Sequence, residues 1–405
     1  MADAVAVVLA AGSATRFRTE LPKPLHRVCG RALLEYALDA VTGAGIEGVA
    51  VVAPPDAGGI PALVGERARS LPGGASVSEG VNRALEALPE TPVVLILPCD
   101  LPQLEARHLE TLLERHRAGA AEATQLFVGG VATGVFAVER RSALHLPEDA
   151  PAEALFPAAA CCELPGPALI DVDTRRDLAA AAKALRRAIL DRLMDEGVTI
   201  VDPDHTYVDA GVRIGLDTIL HPGTVIEGAT VIGKRCAIGP QAHLVGATLE
   251  DEVTVVAAVV RESRLAARVR VGPFANIRSG CDVGAESSIG DFVELKNARL
   301  GARVSASHHA YLGDARIGEG VNIGAGVITC NYDGVRKHQT TIGAHAFIGS
   351  NSVLIAPVNI GAGAYVAAQS SINQDVPEDA LGIARARQEN KPGWARQRRR
   401  AQGKD

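Results

Sequence analysis

One part of this chain carries an aliphatic residue at every sixth position, and that period limits the folds open to it. The pattern runs from Val208 to Leu244, loses its phase and returns from Val271 to Leu295; it recurs at Ile317 and Ile323, and again from Ile342 to Ile372. An α-helix repeats about every 3.6 residues and a strand every second residue, so neither explains the spacing. A six-residue period is typical of a parallel β-helix, in which three short strands form one triangular coil. The aliphatic side chains are expected to point inward and to stack from coil to coil.

The 405 residues exceed one typical domain, and the sequence pattern changes along the chain. Residues 1–175 alternate strand-like and helix-like segments, which predicts a doubly wound α/β domain with a parallel sheet. Residues 176–197 are rich in Ala, Leu and Arg and predict a linker helix. Residues 198–385 hold the hexads of a predicted left-handed β-helix. Residues 386–405 are predicted to form a polar, irregular tail.

Composition excludes some classes of partner. The net charge of −6 gives no reason to expect nucleic-acid binding. No apolar run approaches the roughly 20 residues of a membrane span, and residues 1–11 do not resemble a signal peptide. The seven cysteines show no CxxC spacing, which favours reduced thiols over a metal site or a disulfide framework. We therefore expect a cytoplasmic protein that acts on small molecules.

A candidate phosphate-binding loop follows the first predicted strand, Val5–Ala10. The loop is AGSATR (residues 11–16), and LPKPL (residues 21–25) comes soon after it. Small residues let backbone N–H groups approach a polyphosphate, while Arg16 and Lys23 supply positive charge. The two segments together resemble the nucleotidyltransferases that condense a sugar or alcohol phosphate with a nucleoside triphosphate. By that resemblance, Arg16 and Lys23 stabilise the charged transition state.

The same resemblance assigns a Mg²⁺ site to two carboxylates. Asp100 follows a predicted central strand, at the end of the sheet where such folds bind ligands. Asp173 aligns with the second metal ligand of the family, and oxygen ligands suit Mg²⁺. An alternative is that Asp173 or Thr174 caps the following helix. The nucleotide contacts implied by the resemblance are Leu9, Ala10, Ala11, Gly12, Lys23 and Gly80.

This N-terminal region departs from its closest bifunctional relatives. Ala14 stands where they have Gly, and residues 78–85 (SEGVNRAL) replace their base-binding segment. Their Asn-Thr-Gly appears as residues 132–134 (ATG), only about 30 positions after Asp100. In these features the region resembles the compact guanylyl- and cytidylyltransferases. The nucleotide and the acceptor therefore stay open, and an inactive domain stays an alternative.

The densest polar chemistry lies between residues 272 and 338. Acetyl transfer to an aminosugar requires a general base, because the amine is largely protonated at neutral pH, and a histidine suits that task. The segment NIGAGVITCNYDG (residues 322–334) and its surroundings resemble the bifunctional glucosamine-1-phosphate N-acetyltransferase / N-acetylglucosamine-1-phosphate uridyltransferase family. The match extends from about Gly197 to Trp394.

That resemblance implies a role for individual residues. The base is His308, and the neighbouring His309 is expected to be a bystander. The implied substrate ligands are Arg278, Lys296, Tyr311, Asn322, Asn331, Tyr332 and Lys337. The implied acetyl-CoA contacts are Ser350, Ala368 and Arg385. The family is a homotrimer, and Lys337, in an inserted loop, is expected to reach a neighbouring subunit.

We predict an enzyme that acetylates glucosamine-1-phosphate with acetyl-CoA and then transfers a uridylyl group from UTP to the product. One alternative is an acetyltransferase whose N-terminal domain has another specificity or none. Another is a nucleotidyltransferase with a purely structural, trimerising β-helix. A β-helix carbonic anhydrase would need three histidines on Zn²⁺. No such spacing is recognisable among His308, His309, His338 and His345.

Overall fold

The computed structural model describes residues 3–12, 15–54, 58–74, 76–146 and 155–404. Ser13 and Ala14 of the predicted phosphate loop lie outside these described residues. The chain divides into two compact units, residues 1–192 with 208–210 and residues 193–207 with 211–405. None of the described helices combines the length and apolarity that a membrane crossing requires.

The first unit alternates strands and helices, as predicted. Its strands are β1 (Ala4–Leu9), β2 (Arg27–Val28), β3 (Arg31–Ala32), β4 (Gly48–Ala53), β5 (Arg69–Pro72), β6 (Val93–Pro98), β7 (Ala123–Val128), β8 (Val131–Glu139) and β9 (Ala160–Leu164). Its helices are α1 (Leu33–Gly43), α2 (Ile60–Val64), α3 (Val77–Ala87), α4 (Ala106–Ala118), α5 (Arg140–Ala143) and α6 (Arg175–Asp195), of which α6 runs across the boundary between the units. Within the described residues, seven strands form one sheet in the order β5-β4-β1-β6-β8-β7-β9.

The sheet is mixed, whereas the sequence predicts a parallel one. β1 lies parallel to both β4 and β6, but β8 lies antiparallel to β6 and β7. The reversal comes from a two-residue hairpin at Gly129 and Gly130, whose φ values are +59° and +78°. Such turns favour glycine at both central positions and join antiparallel neighbours.

Both faces of the central strand are buried, as a doubly wound sheet requires. Ala6 and Val8 of β1 pack into a core that includes residues of α1 and α4. Val5 and Val7, which alternate with them, pack into a second core that includes residues of α3. The end of the strand is therefore fixed from both sides.

Helix α6 has the predicted start and stop signals. The Thr174 hydroxyl accepts a hydrogen bond from the backbone N–H of Asp177 (3.2 Å), and the Asp177 carboxylate accepts one from the Thr174 N–H (2.7 Å). The hydrogen bond from the Thr174 hydroxyl also lowers the pKa of Asp177. Gly197, with φ +92°, follows the helix end. Because Thr174 forms the cap, the suggestion that Asp173 caps this helix is wrong.

The second unit is a parallel β-helix with three faces. The first face holds Thr199–Ile200, Ile219–Leu220, Ala237–Ile238, Thr254–Val255, Arg270–Val271, Ser288–Asp291, Ser305–His308, Asn322–Ile323, Phe347–Ile348, Tyr365–Val366 and Leu381–Gly382. The second face includes Val225–Glu227, His243–Val245, Val259–Arg261, Asn276–Ile277, Glu294–Lys296, Tyr311–Gly313, Ile328–Cys330, Val353–Ile355 and Ser371–Ile372. The third face holds Arg213–Ile214, Val231–Ile232, Thr248–Leu249, Arg264–Leu265, Asp282–Val283, Arg299–Leu300, Ala315–Ile317, Thr340–Ile342 and Val358–Ile360. A further strand, Tyr207–Val208, lies where the chain passes between the units.

The period-six residues form the buried stack of this β-helix. Leu220 pairs with Ile238, which pairs with Val255 one coil further, and all three are buried. Where the sequence loses its phase the coils continue, because some corners are one residue shorter. Leu244, for example, is followed by the next inward residue Leu249 after five positions, and both stay in register with their neighbours.

One corner of the β-helix alternates positive and negative side chains. Arg235, Glu252, Arg268, Glu286 and Arg303 occupy it on successive coils, each with a left-handed φ between +54° and +62°. Ion pairs join neighbours, as between Arg268 and Glu286 (2.6 Å). We call these five residues the charged corner.

The sequence predicts an irregular C-terminal tail, but the structure has a helix there, α7 (Trp394–Ala401). None of the residues of α7 is buried. The Arg398 guanidinium lies 5.5 Å from the centre of the Trp394 ring, a cation–π distance.

Candidate active sites

Three carboxylates meet beyond the end of β6 in the first unit. Asp100, Asp171 and Asp173 each offer an oxygen atom within 4.8 Å of the others. The Val172 N–H donates to the Asp100 carbonyl oxygen (3.1 Å), which ties the segment to the strand end. Val172 is itself buried, so its two neighbours point to the opposite side of the extended segment. Asp171 was not among the residues predicted from the sequence, although the Asp-Val-Asp alternation could have indicated it.

Lys23 and Arg16 contact this carboxylate group, as predicted for residues of one site. The Lys23 Nζ atom lies 2.6 Å from Asp100 Oδ2 and 3.0 Å from Asp173 Oδ1. Arg16 contacts the same Asp173 oxygen at 2.8 Å. Burial by itself would lower the pKa of Lys23, but the two carboxylates outweigh it, Asp100 more than Asp173, and raise that pKa. Lys23 therefore stays charged.

The three carboxylates fit a divalent cation. The Oδ1 atom of Asp100 is buried and accepts no hydrogen bond within the described part of the chain, which is unfavourable for a charged oxygen. A set made only of carboxylate oxygens suits a hard cation such as Mg²⁺, which needs few protein ligands. Asp100, Asp171 and Asp173 are thus the residues that could hold the metal.

The predicted nucleotide contacts at the end of β1 form a continuous segment. Leu9 ends the strand, and the Ala10 N–H donates to the Val52 carbonyl oxygen of β4 (2.8 Å). Ala11 and Gly12 follow and are exposed. A side chain added at Gly12 would meet no atom of the described residues within 4 Å, which leaves space there for a ligand.

Gly80 has a different environment from the other predicted nucleotide contacts. It is buried in α3, where an added Cβ atom would lie only 2.8 Å from the Val52 side chain of β4. Close packing of the helix on the strand accounts for glycine here. Gly80 nevertheless lies beside Val52, whose carbonyl oxygen accepts the hydrogen bond from Ala10 at the end of β1.

The predicted base lies at a corner of the β-helix in the second unit. His308 ends a first-face strand, His309 turns the corner with φ +43°, and Tyr311 begins the next second-face strand. The His308 side chain is exposed, and its Nδ1 atom lies 2.5 Å from Oδ1 of Asp291 on the preceding coil. The hydrogen bond from His308 lowers the pKa of Asp291. Asp291 was not predicted from the sequence; it precedes His308 by 17 residues, about one coil.

His309 contacts other groups than His308 does. Its ring stacks on Phe292, with ring centres 5.0 Å apart, and Phe292 stacks in turn on Phe274 at 5.4 Å. This position is consistent with the bystander role expected for His309.

Three predicted substrate ligands of the second unit form a group of cations. Repulsion between the Lys296 and Lys337 ammonium groups lowers the pKa of Lys296, and Arg278 adds to the effect. Arg278 also contacts Glu294, at 3.0 Å. Lys337, expected to serve a neighbouring subunit, therefore lies beside Lys296 of its own chain. Like charges held together favour binding of an anion.

Tyr311 and Asn331 share a space that glycine provides. A Cβ atom on Gly313 would lie 2.5 Å from the Tyr311 hydroxyl oxygen and 2.8 Å from Asn331 Nδ2. Asn331 is buried, and its Nδ2 donates to Asp314 Oδ2 (2.5 Å). Because the amide nitrogen is used in this way, Asn331 Oδ1 is left to accept a hydrogen bond from a ligand. Asp314 was not identified from the sequence.

The inserted loop between Cys330 and Thr340 is held by Asp333. One carboxylate oxygen accepts from the N–H groups of Val335 and Arg336, both at 2.7 Å, and the other lies 2.7 Å from His338 Nε2. The N–H of Arg336 is the largest of several influences that lower the pKa of Asp333. Tyr332 is exposed in this loop.

The other predicted contacts follow the first face and its corner. Asn322 lies one coil beyond Ser305 on the first face. At the corner, strand register places Ala325, Ser350 and Ala368 on successive coils beyond His308. Arg385 donates to the Ala368 carbonyl oxygen (2.9 Å). The structure thus aligns the predicted base with Ser350 and Ala368, and Arg385 contacts the backbone of the last of these.

Comparisons with protein families agree with both units. The family model of the MobA-like NTP transferase domain matches residues 6–199. Two hexapeptide models, that of bacterial transferases and that of succinyl-transferases, match residues 339–374 and 229–260.

Curated relatives match nearly the whole chain. The chain is similar to "Bifunctional protein GlmU" of Brevibacillus brevis, with 36% identity covering 96% of each chain. It is also 36% identical to the protein of that name from Geobacillus sp., covering 97% of this chain and 98% of the relative. The GlmU protein of Exiguobacterium sp. is 35% identical, covering 96% and 99%. Among solved structures, that of Rv0371c from Mycobacterium tuberculosis is 20% identical, with a TM-score of 0.40, covering 45% of this chain and 98% of that one.

Proposed function

The chain belongs to the GlmU family of bifunctional proteins, and on that premise we propose that it acetylates glucosamine-1-phosphate and then uridylylates the product. Acetyl-CoA supplies the acetyl group, and UTP supplies the uridylyl group with release of pyrophosphate. The observation that carries the proposal is an exposed histidine at the corner before the second face, with a group of cations that includes Lys296 at the far end of a second-face strand on the preceding coil.

For acetyl transfer, we assign the general base to His308. The amine must lose a proton as its nitrogen attacks the thioester carbonyl, and a neutral imidazole can accept that proton. Arg278, Lys296 and Lys337 would bind the sugar phosphate, because charge-assisted hydrogen bonds to a dianion are strong. Tyr311 and Asn331 would hold the sugar and the acetyl group, with Asn322 and Tyr332 at the margin of the site.

For acetyl-CoA, the corner beyond His308 supports the assignment. Ala325, Ser350 and Ala368 have small side chains and follow the base on successive coils. Strands lie about 4.8 Å apart, so these coils extend roughly 14 Å from His308. A slender acyl-carrying arm could lie along them, and the exposed Arg385 would meet the phosphates of the coenzyme.

For nucleotidyl transfer, we assign the metal to Asp100, Asp171 and Asp173. A bound Mg²⁺ would neutralise charge on the phosphates of the nucleotide. Lys23 and Arg16 would stabilise the negative charge that develops during transfer. The backbone from Leu9 to Gly12 would approach the nucleotide, and Gly80 stays a predicted contact.

A second candidate is that the N-terminal domain takes another nucleotide or acceptor. Residues 99–130, all of them described, contain α4 and β7 and no other helix or strand that could enlarge an acceptor pocket. The match to the MobA-like domain is consistent with such a compact site. An inactive domain is disfavoured by the grouping of Arg16 and Lys23 with the carboxylates.

The proposal includes the domain assignment made from the sequence. Residues 1–175 carry nucleotidyl transfer, residues 176–197 form the linker helix, residues 198–385 carry acetyl transfer, and residues 386–405 form the tail. The homotrimer, the completion of each acetyltransferase site by a neighbouring subunit and the cytoplasmic location stay predictions.

Acetyl transfer is tested by mixing the full-length protein with acetyl-CoA and glucosamine-1-phosphate and measuring free CoA. We expect CoA release that depends on the aminosugar, with N-acetylglucosamine-1-phosphate as a poor acceptor because its amine is blocked. Equal CoA release with and without aminosugar would rule out acetyl transfer to this substrate.

Nucleotidyl transfer is tested with N-acetylglucosamine-1-phosphate, Mg²⁺ and either UTP, GTP or CTP. The expected result is pyrophosphate with UTP and little with GTP or CTP. Preference for GTP or CTP would support the second candidate. No pyrophosphate with any of the three would contradict the assignment of this activity.

A further inference from the structure

The His308 side chain at the proposed acetyl-transfer site has a carboxylate partner with no assigned role. We propose that Asp291 is a positioning residue that keeps the His308 imidazole oriented and protonated on Nδ1, so that Nε2 faces the substrate amine as the base. The inference deepens the proposed acetyl transfer and rests on it.

The geometry of the pair supports this role. Asp291 and His308 end neighbouring first-face strands and are direct partners in the parallel register. Asp291 Oδ1 lies 2.5 Å from His308 Nδ1. An ionised carboxylate can only accept a hydrogen bond, so Nδ1 must carry the proton. In a neutral imidazole the lone pair available to the substrate is then on Nε2.

The backbone of the corner holds the two side chains in this relation. The His309 N–H donates to the Asp291 carbonyl oxygen (2.8 Å), so the coils are joined at the pair itself. A second-face strand begins two residues after His309, which limits movement of the corner. The exposed imidazole thus depends on Asp291 for its orientation, since a solvent-facing histidine would otherwise rotate among several rotamers.

The other charged groups near the corner are few. His309 also influences Asp291, but its ring stacks on Phe292. The next coil presents residues 324–326 (GAG) at this corner and no titratable side chain. Tyr311 and Glu294 lie on the second face, where they are register partners. Asp291 is therefore the carboxylate in direct contact with the proposed base.

The chain supplies a matched control for a carboxylate–histidine pair. Glu227 Oε2 lies 2.7 Å from His243 Nε2 on the second face, four coils before Tyr311. At about 4.8 Å per coil this pair is roughly 19 Å from the proposed site. Glu227→Gln changes the same charge on the same fold without touching the base.

The test compares kcat and KM for CoA release by wild type, Asp291→Asn, Asp291→Glu and Glu227→Gln. Asn has the shape of Asp but no charge, so kcat for Asp291→Asn should fall about 10- to 100-fold. KM for glucosamine-1-phosphate should stay within about threefold of wild type, because Asp291 acts on the base and not on the substrate. Asp291→Glu keeps the charge and should recover most of the lost rate, and Glu227→Gln should match wild type in both constants.

A double variant separates positioning from general structural damage. If Asp291 acts through His308, Asp291→Asn should change the residual rate of His308→Ala by less than about twofold. Melting temperatures of all variants show whether they are folded. If Asp291→Asn does not fold, the folded variant Asp291→Glu is compared with wild type instead.

The outcomes distinguish this inference from the proposed function. If Asp291→Asn keeps kcat within about threefold of wild type while His308→Ala is inactive, the positioning role is overturned and acetyl transfer stands. If His308→Ala is as active as wild type, the base assignment itself fails. An equal further loss in the double variant would also overturn the positioning role, since Asp291 would then act without His308.

Discussion

The two candidate sites hold their lysines in opposite ways. Lys23 in the first unit is buried between Asp100 and Asp173, and its pKa is raised. Lys296 in the second unit is exposed beside Lys337, and its pKa is lowered. Lys23 is therefore paired with negative charge from its own chain. Lys296 is instead repelled by the positive charge of Lys337.

The difference indicates how each site meets a phosphate. At Lys23 an incoming triphosphate competes with two carboxylates, and a divalent cation bound to those carboxylates would remove the competition. At Lys296 an anion relieves repulsion that is already present, so no metal is needed to bind a sugar phosphate.

Replacement of the proposed base should have the largest effect and should separate the two sites. We expect His308→Ala to lower kcat for acetyl transfer about 10²- to 10⁴-fold, because a general base usually contributes that much. Pyrophosphate release by the same variant should match wild type. His309→Ala is the matched control and should stay within about threefold, since its ring stacks on Phe292. A loss below about tenfold in His308→Ala would contradict the assignment.

Removal of the buried lysine should affect only the other reaction. Lys23→Ala removes a cation that would stabilise developing charge, so nucleotidyl transfer should fall about 10²- to 10³-fold. Acetyl transfer should be unchanged. Lys183→Ala, at an exposed lysine of α6 in the first unit, is the control and should behave as wild type. Equal loss of both activities in Lys23→Ala would show that the lysine serves folding and not the site, and melting temperatures would identify that case.

Loss of one cation of the second unit should weaken substrate binding more than turnover. For Lys296→Gln we expect KM for glucosamine-1-phosphate to rise about 10- to 100-fold, as for a lost hydrogen bond to a charged group, with kcat nearly constant. Lys234→Gln changes an exposed lysine elsewhere on the β-helix and should leave KM unaltered. If kcat falls instead of KM rising, Lys296 acts on the reaction step.

The repulsion between the two lysines predicts a pH dependence of defined sign. Lys296 binds phosphate when protonated, so KM should rise as pH increases through its lowered pKa. Lys337→Gln removes the first cause of the lowering, so the alkaline rise in KM should move to higher pH, although affinity at neutral pH falls. The measurement is KM between about pH 7 and 10 for wild type and variant. An alkaline limb that stays in place would show that the two ammonium groups do not interact.

The repeat could be predicted from the sequence because the same packing interaction recurs at a fixed spacing along the chain. Each inward aliphatic residue packs on the residue one coil away, so the period records the fold directly. Where corners shorten by one residue, as between Leu244 and Leu249, the sequence phase is lost although the stack continues. The family resemblance, confirmed by the curated relatives, supplied what the period could not, namely a reaction.

The residues that the sequence did not reveal are partners of predicted ones. Strand register places Asp291 beside His308, and a hydrogen bond joins Asp314 to Asn331 one coil further along. Asp171 meets Asp100 only because two segments distant in sequence come together. A regular coil of three hexads has 18 residues, whereas Asp291 and His308 are 17 residues apart. Their pairing could be predicted only if one corner of this coil were known to be one residue shorter. The antiparallel direction of β8 depends on the turn at Gly129 and Gly130, which strand and helix periodicity alone does not reveal.

The charged corner should give the smallest effect and tests whether the contrast between the sites depends on specific groups or on total charge. Arg268→Gln removes a cation that pairs with the exposed Glu286. Exposed pairs contribute little, so the melting temperature should fall by at most about 3 °C, and less at high salt. Both activities should equal wild type, although the net charge changes by the same amount as in Lys296→Gln. A raised KM for glucosamine-1-phosphate in Arg268→Gln would mean that the second site attracts its substrate by overall charge, and the contrast between Lys23 and Lys296 would lose its local basis.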